Sequence, residues 1–447
     1  MKTSPFILSV LLGMSVAAIG QPRSVSNPIL PGFNPDPSIC AVDGDYYLVT
    51  SSFVFVPGLP VYHSRDLVNW ELISHGIDQQ NIDKFHFENL DDIAMATVKE
   101  PKTGLTLEAP SVQLKGKHTM LTYGHANNAR YGEGPHIYKI GNTYYLLMAE
   151  GGSGKKHAVT IHSSNSLTGP YKAQQVNPVL SHRQMGNTYP IQNIGHADIF
   201  RAADGQLYAV CLGNRMLKDG NGKWHSPLGR ETFLVSVEQQ DDQLIFAPGI
   251  GRVETEMQRP SLPWHPFEGQ EEPWYGLRGI PSCVKSSTAA ASSSLSTLHF
   301  SLLPEVLDTI ATPACLLQKL HGFQWTFSRE VTFITKKENE WAGITLYRTA
   351  NSYYTLMKGK DCIRLTKREK GQSAVVAEQP CKDKTVRLAI EADSLRLHFL
   401  INGQPIAAEQ SMRPLCDDGK YNKFNGLGVC IYATSMGRKS KAVATFK

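Results

Sequence analysis

Apolar and polar residues alternate with a period of two in short bursts separated by Gly, Asn and Asp, and one burst sets the pattern for the chain. Residues 133–150 open with Glu133-Gly134-Pro135-His136 and continue through Ile137-Tyr138-Lys139 and Gly141-Asn142 into the more apolar residues 144–148. Gly-Pro puts Glu133 on a tight bend, Ile137-Tyr138-Lys139 reads as a short strand, and Gly141-Asn142 is a hairpin signal before a second strand. The layout occurs earlier at Asn34-Pro35-Asp36-Pro37-Ser38-Ile39, followed by Asp43-Gly44 and Asp45-Tyr46-Tyr47-Leu48-Val49. It occurs again at His196-Ala197-Asp198-Ile199, followed by Asp204-Gly205 and Gln206-Leu207-Tyr208-Ala209-Val210. One supersecondary unit repeated, each copy headed by a polar residue, predicts propeller blades around a common axis.

The first blade runs on through Val61-Tyr62-His63 to Trp70, which is expected to pack between blades. Residues 78–131 break the order; Leu107-Glu108-Ala109-Pro110 reads as part of a degraded blade. The interval from Asp36 to Glu133 has room for about two blades of roughly 40–45 residues, counting that of Asp36. His157-Ala158-Val159-Thr160-Ile161 completes the blade opened by Glu133, and the next extends from Gly195 to Gly229-Arg230-Glu231-Thr232 and beyond. The propeller spans residues 27–263 on this reading, and the Ser- and Ala-rich residues 281–296 form a linker. Strand-period alternation in Trp341-Ala342-Gly343-Ile344, Tyr353-Tyr354-Thr355-Leu356 and Leu395-Arg396-Leu397-His398 predicts a β-sandwich over residues 298–447. The expected class is therefore all-β, a β-propeller followed by a sandwich.

A length of 447 residues agrees with two domains. Charged residues make up 19%, below the usual fraction, while Tyr and Phe number 17 each, which favours strands over long helices. The formal charge of +5 is small and scattered, which argues against a nucleic-acid partner. Lys2, the apolar run over residues 6–18 and the small-residue site Ala18-Ile19-Gly20 read as a secretory signal peptide over residues 1–20. The expected location is extracellular, and no later apolar run is long enough for a membrane helix. The eight cysteines show no Cys-x-x-Cys spacing, so metal or redox chemistry is not expected of them. Cys362 with Cys381, or Cys416 with Cys430, are the pairs to try first as disulfides. Gly151-Gly152-Ser153-Gly154-Lys155-Lys156 matches neither a phosphate loop nor a nucleophile elbow.

Ordered stretches along the chain resemble glycoside hydrolase family 43: Asn34-Pro35-Asp36-Pro37-Ser38, Thr50-Ser51-Ser52-Phe53, His63-Ser64-Arg65-Asp66-Leu67-Val68-Asn69-Trp70, Glu133-Gly134-Pro135-His136 and Gly229-Arg230-Glu231-Thr232. The C-terminal part is similar to the concanavalin-like domain of the family's larger xylosidases. The resemblance implies a five-bladed type of propeller, here incomplete at about four blades. It also implies an inverting β-xylosidase or α-L-arabinofuranosidase acting on xylo- or arabino-oligosaccharides, with no oligomeric state specified. Asp36 would be the general base, Glu133 the general acid, and Phe53 and Arg230 sugar-binding residues. His196 would face a central cavity holding a water-coordinated structural calcium, with no cofactor required for the chemistry. On residue type alone, a carboxylate beside Pro or Gly is usually a solvated turn residue, Arg230 a surface ion pair, Phe53 core and His196 a buried structural residue. Where the family has a third Asp that keeps the acid protonated, nothing here matches. Asp91, Asp92 and Asp198 are the substitutes on offer, and a missing blade leaves apolar faces uncovered. The competing reading is a catalytically impaired homologue or a secreted carbohydrate-binding protein.

Overall fold

The computed structural model describes residues 23–78, 120–125, 131–186, 188–267, 269–283, 297–422 and 424–447, together with the pairing of Val98–Lys99 against Thr106–Leu107. The proposed signal peptide, Asp91 and Asp92, most of residues 78–131 and most of the linker lie outside these residues.

Three antiparallel four-stranded sheets are present among the described residues of the N-terminal part, each with its strands in sequence order. The first comprises Ser38–Val42, Asp45–Val49, Gly58–Ser64 and Glu71–Ile77; the second comprises Glu133–Ile140, Thr143–Glu150, Ala158–Ser164 and Lys172–Ala173. The third comprises Ile191–Arg201, Leu207–Arg215, Glu231–Gln240 and Gln243–Phe246. The hairpin signals Asp43-Gly44, Gly141-Asn142 and Asp204-Gly205 all fall between the first two strands of a sheet. Each is therefore a blade of a propeller, and the leading strands converge. Asp198, in the third blade, accepts bonds from the Ser38 hydroxyl at 2.9 Å and the Ile39 amide at 2.8 Å in the first, and from the Tyr138 hydroxyl at 2.5 Å in the second.

The third blade is buried on both faces, which explains its nearly continuous apolar sequence. Leu207, Ala209, Cys211, Phe233 and Val235 pack toward Tyr145, Leu147, Val159 and Ile161 of the second blade. Tyr208, Val210 and Leu234, one step along each strand, pack toward Tyr46, Leu48, Tyr62 and Trp70 of the first. Trp70 thus lies between blades. The N-terminal segment is tied across the third blade, with Leu30 and Thr232 exchanging backbone bonds of 3.2 and 3.3 Å.

Two larger sheets form the C-terminal sandwich. In the eight-stranded one the order is Gln372–Pro380, Cys362–Glu369, Ser352–Lys358, Trp341–Thr349, Gly428–Thr434, Ala314–Lys319, Tyr275–Leu277, Phe55–Val56. This sheet therefore takes in Tyr275–Leu277 and a strand from the first blade's own loop, so the sandwich is not built from residues beyond 298 alone. Its inner face packs Ile344, Leu356 and Leu365 against Phe327, Leu388, Ile390 and Phe399 of the seven-stranded sheet. The cysteine pairs tried from spacing are not bonded: all eight thiols are free. Cys416 instead donates to the Met412 carbonyl at 3.5 Å, and the buried Cys430 hydrogen-bonds with Cys315.

Propeller and sandwich are joined by a buried ammonium. Lys319 Nζ, on the sandwich strand Ala314–Lys319, donates to Asn34 Oδ1 at 3.0 Å and to the Tyr62 hydroxyl at 3.1 Å, with Glu272 Oε1 at 3.8 Å. Glu272 is in turn bonded to His321 at 2.8 Å. Breaking a buried charged network by removing one member leaves the others desolvated and unpaired. Lys319→Met is expected to destabilise the protein by about 3–5 kcal/mol, read as a lowered urea midpoint. An unchanged midpoint would show that the ammonium does not hold the two parts together.

Candidate active site

Asp36 stands just ahead of the first blade's leading strand, in the left-handed region at φ 55. It is held there from both sides. Asn34 donates its amide to the Arg230 carbonyl at 3.0 Å and its carbonyl accepts the Thr232 hydroxyl at 2.7 Å, while the Ser51 amide donates to the Pro35 carbonyl at 2.9 Å. Phe53 and His196 are also left-handed, at φ 50 and 47. Three non-glycine residues in this sparsely populated region at one place is the signature of a site where surrounding bonds over-determine the backbone.

Arg230 Nη1 donates to Asp36 Oδ1 at 2.9 Å, and His196 Nδ1 lies 3.5 Å from the same oxygen. Burial by itself pushes the Asp36 carboxyl up, yet Arg230, His196 and a Ser51 hydrogen bond together hold it below the ordinary carboxylate range. The carboxylate is thus kept ionised although only 15% of its side chain is exposed. Arg230 is itself framed by aromatic rings. Its guanidinium carbon lies 4.9 Å from the Phe53 centroid and 5.6 Å from that of Phe424, and the two rings are stacked at 5.8 Å with an 8° interplanar angle. Such cation–π contacts favour a weakly hydrated guanidinium over an ammonium.

Glu133 is the first residue of its strand, opposite Ala149, rather than part of a turn. The expected bend survives as a bulge: Gly134 has φ 51, and the register shifts between Leu147 and Ala149. Pro135 fits within this strand because it is the edge of its sheet. Gly134 is packed so closely on His196 that an added Cβ would fall 2.6 Å from Nε2. The His196 ring therefore lies between the residue next to Glu133 and the Asp36 carboxylate, and the structure brings Asp36, Phe53, His196 and Arg230 together with Glu133 at the margin.

His157 and Phe424 belong to this cluster, and sequence reasoning gave neither a role. His157 Nδ1 bonds the Asn193 carbonyl at 3.0 Å, its buried Nε2 has no partner among the described residues, and burial pushes its pKa down to about 4. It is neutral at ordinary pH. Gly195 leaves room for that ring, since a Cβ would stand 2.5 Å from it. Phe424 arrives from the sandwich, in a stretch whose only sequence signal is the apolar ring among Asn and Gly residues.

Asp198 does not stand beside the acid as a free carboxylate, because both its oxygens are engaged in the bonds between blades. Nor do the described residues bring three His, Cys, Asp or Glu side chains together as metal ligands. His196 offers nitrogen where calcium prefers oxygens, so the residues present do not fit a directly held calcium.

Sequence models of known families match almost the whole chain. The model described as glycosyl hydrolases family 43 matches residues 25–97 and 91–245, and the beta xylosidase C-terminal concanavalin A-like domain matches residues 284–447. The chain is 30% identical to the non-reducing end alpha-L-arabinofuranosidase of Bacteroides ovatus, an alignment taking in 100% of this chain and 98% of that protein. It belongs to glycosyl hydrolase family 43. A xylosidase/arabinosidase of Butyrivibrio fibrisolvens is 27% identical, with 93% of this chain and 96% of that protein covered. Among solved structures, the GH43B protein of a Bacteroides ovatus xyloglucan PUL superposes with a TM-score of 0.79 at 28% identity, covering 95% and 98% of the two chains. The xylan beta-1,4-xylosidase of Bacillus halodurans shares the fold, with a TM-score of 0.80 at 23% identity over 94% and 98% of the chains. Membership of family 43 makes the chain a glycosidase.

Replacing Arg230 by Gln removes the largest of the contributions that together outweigh the burial of Asp36. Because the folded-state pKa of Asp36 is depressed, activity that needs its anion is lost only as pH falls through that lowered value. In Arg230→Gln the acid limb of the kcat/KM profile is expected to move upward by at least about one pH unit. An acid limb that stays in place would mean that Arg230 does not set the ionisation of Asp36.

Proposed function

We propose that this chain is a secreted, inverting glycosidase that removes terminal xylose or arabinofuranose from xylan-derived oligosaccharides. Asp36 takes a proton from water as the water oxygen bonds to the anomeric carbon, and Glu133 gives its proton to the departing glycosidic oxygen. The C–O bond breaks with inversion, Asp36 ends protonated and Glu133 ends ionised. The route needs the two carboxyl groups about 6.5–9.5 Å apart on opposite faces of the sugar, and neither metal nor organic cofactor. Arg230 then offers donors to sugar hydroxyls, and Phe53 an apolar wall. The observation that carries this reading is the buried Asp36 anion held by Arg230 at 2.9 Å, with Glu133 reaching the same cluster through Gly134 and His196. The choice of sugars follows the names of the arabinofuranosidase and xylosidase/arabinosidase relatives.

One observation favours reduced activity. The family model matches in two pieces that meet at residues 91–97, and the Bacteroides ovatus alignment runs over 532 residues against 447 in this chain. Those unmatched positions exceed a blade's length of roughly 40–45 residues. We therefore infer that the chain lacks about one blade, and with it the third Asp that the family resemblance leads one to expect.

The purified protein is expected to release 4-nitrophenol from 4-nitrophenyl β-D-xyloside or α-L-arabinofuranoside. Asp36→Asn should lower kcat by roughly 10²–10⁴-fold, Glu133→Gln should lower it by less because 4-nitrophenolate departs with little help from a proton, and NMR of the first product should show the inverted anomer. Turnover indifferent to both substitutions, or a retained anomer, would remove the assignment. Export with cleavage after Gly20 predicts that N-terminal sequencing of protein from the culture medium begins at Gln21; retention of Met1 in the cell would overturn the secreted reading.

A further inference from the structure

His321 follows the sandwich strand Ala314–Lys319 by two residues, where the sandwich meets the loop of Asp36, and it is bonded on three sides. Its ring Nδ1 lies 2.8 Å from the Pro31 carbonyl and its Nε2 lies 2.8 Å from Glu272 Oε2. Its own carbonyl accepts Arg215 Nη2 at 2.8 Å. The Pro31 bond fixes the start of the loop that carries Asp36. Gly32, the next residue, has φ 78 and packs so closely that a Cβ there would fall 2.5 Å from the Leu320 carbonyl oxygen and 2.9 Å from His321 Nδ1. The Arg215 bond runs toward the other partner, because the same Nη2 donates at 2.7 Å to Glu231, the residue after Arg230. One sandwich residue thus reaches both members of the Asp36–Arg230 pair.

Both partners of the ring are acceptors, and that sets its charge. A neutral imidazole has one N–H and one lone pair, so it can donate to the Pro31 carbonyl or to Glu272 but not to both. A lone pair on Nε2 would face a carboxylate oxygen at 2.8 Å. A proton on Glu272 instead is opposed by Lys319 Nζ, 3.8 Å from its other oxygen. Burial pushes the Glu272 carboxyl up, but Lys319 and His321 hold it below the ordinary carboxylate range. His321 is therefore an imidazolium. Burial pushes its own pKa down, yet the hydrogen bond and charge of Glu272 outweigh both burial and the Lys319 charge and leave it raised. The charged groups facing it are Glu272 on the segment before Trp274, Lys319 on its own strand, and Arg215 on the third blade, which Glu231 balances. Glu271 and Tyr62 line the same cleft. The His321 side chain is 42% exposed there, so its proton exchanges with water while the chain stays folded.

We propose that the His321 imidazolium is a positioning residue that clamps the Asp36 loop to the sandwich and releases it on losing its proton; its bearing on hydrolysis rests on the function proposed above. Because the folded-state pKa lies above the ordinary value of about 6.5, the clamp's contribution to stability is complete below that pH and is lost as pH rises through the raised value. The test is the urea midpoint of the full chain, followed by tryptophan fluorescence between about pH 6 and pH 9. In the parent the midpoint is expected to fall as pH rises. His321→Gln keeps a donor but cannot carry the charge. It is expected to have a lower midpoint than the parent at about pH 6 and the same midpoint at about pH 9. Its kcat/KM on the 4-nitrophenyl glycosides should be about tenfold below the parent's at the acid end and equal to it at the alkaline end. A midpoint gap that stays constant with pH would make His321 merely structural and overturn the proposal. So would a parent midpoint that does not fall, a result that needs no folded variant. A closing midpoint gap with a constant kcat/KM ratio would overturn the positioning role. If the parent hydrolyses neither glycoside, a closing midpoint gap supports the clamp while removing the catalytic assignment.

Discussion

A carboxylate that stays ionised while withdrawn from water needs its counter-charge held still, and here that requirement falls on the 2.9 Å contact between Asp36 and Arg230. Arg230 is fixed because the next residue is fixed. Glu231 is fully buried, receives Arg215 through Nε at 2.8 Å and Nη2 at 2.7 Å, and accepts the Gly32 amide at 2.7 Å. The forked pair sets the end of a third-blade strand, and the Gly32 bond sets the start of the loop that carries Asp36. From the other side Lys319 reaches Asn34, two residues before Asp36. The ion pair at the centre is thus positioned by the third blade, the N-terminal loop and the sandwich together, so the two domains form one functional body.

That dependence explains why the sandwich is more than an appendage. Phe424 brings a sandwich ring against Arg230, and the backbone around it is pinned by Arg348, whose fully buried guanidinium donates to the Pro227 carbonyl at 2.7 Å and the Asn422 carbonyl at 2.9 Å. Pro227 precedes the Gly229-Arg230 turn, so a single sandwich side chain ties the loop of Phe424 to the loop of Arg230. At the turn itself the chains are too close for bulk. A Cβ on Gly426 would fall 2.1 Å from Phe33 Cβ, and one on Gly229, at φ 95, would fall 3.0 Å from the Phe33 ring and 3.1 Å from Gly426 Cα. Glycine is required there by the close packing of Phe33 and, at Gly229, by the positive φ.

What the sequence displayed follows from which forces are local. Hairpins were legible because Gly141-Asn142, Asp43-Gly44 and Asp204-Gly205 dictate a turn by themselves and the flanking residues alternate at the strand period. Blade order followed from repetition of that unit. Glu133 was misplaced on a turn because Gly-Pro reads as a bend, whereas an edge strand tolerates Pro and absorbs Gly134 as a bulge. The meeting of Asp36 with Arg230 spans 194 positions and became legible only through family resemblance. Phe424 and His157 carried no signal, since an aromatic ring in a loop and a histidine before a strand are ordinary until tertiary packing delivers them. Cysteine spacing misled because Cys416 lies in a turn bonded to Met412 while Cys430 lies mid-strand beside Cys315.

The two halves of the site rest on different supports. Asp36 depends on the first blade, the third blade and the sandwich, all of which are packed face to face. Glu133 opens the second blade, whose third-blade side is buried but whose opposite face leaves Ile137 41% exposed; the matching face of the first blade leaves Val42 49% and Tyr47 38% exposed. In a propeller each blade covers the face of the next, so these are the faces that an additional blade would cover. On the other side, Asp198 is consumed by Ser38, Ile39 and Tyr138. The Asp36 anion is therefore built into the folded body, whereas Glu133 stands at the head of a blade with one exposed face.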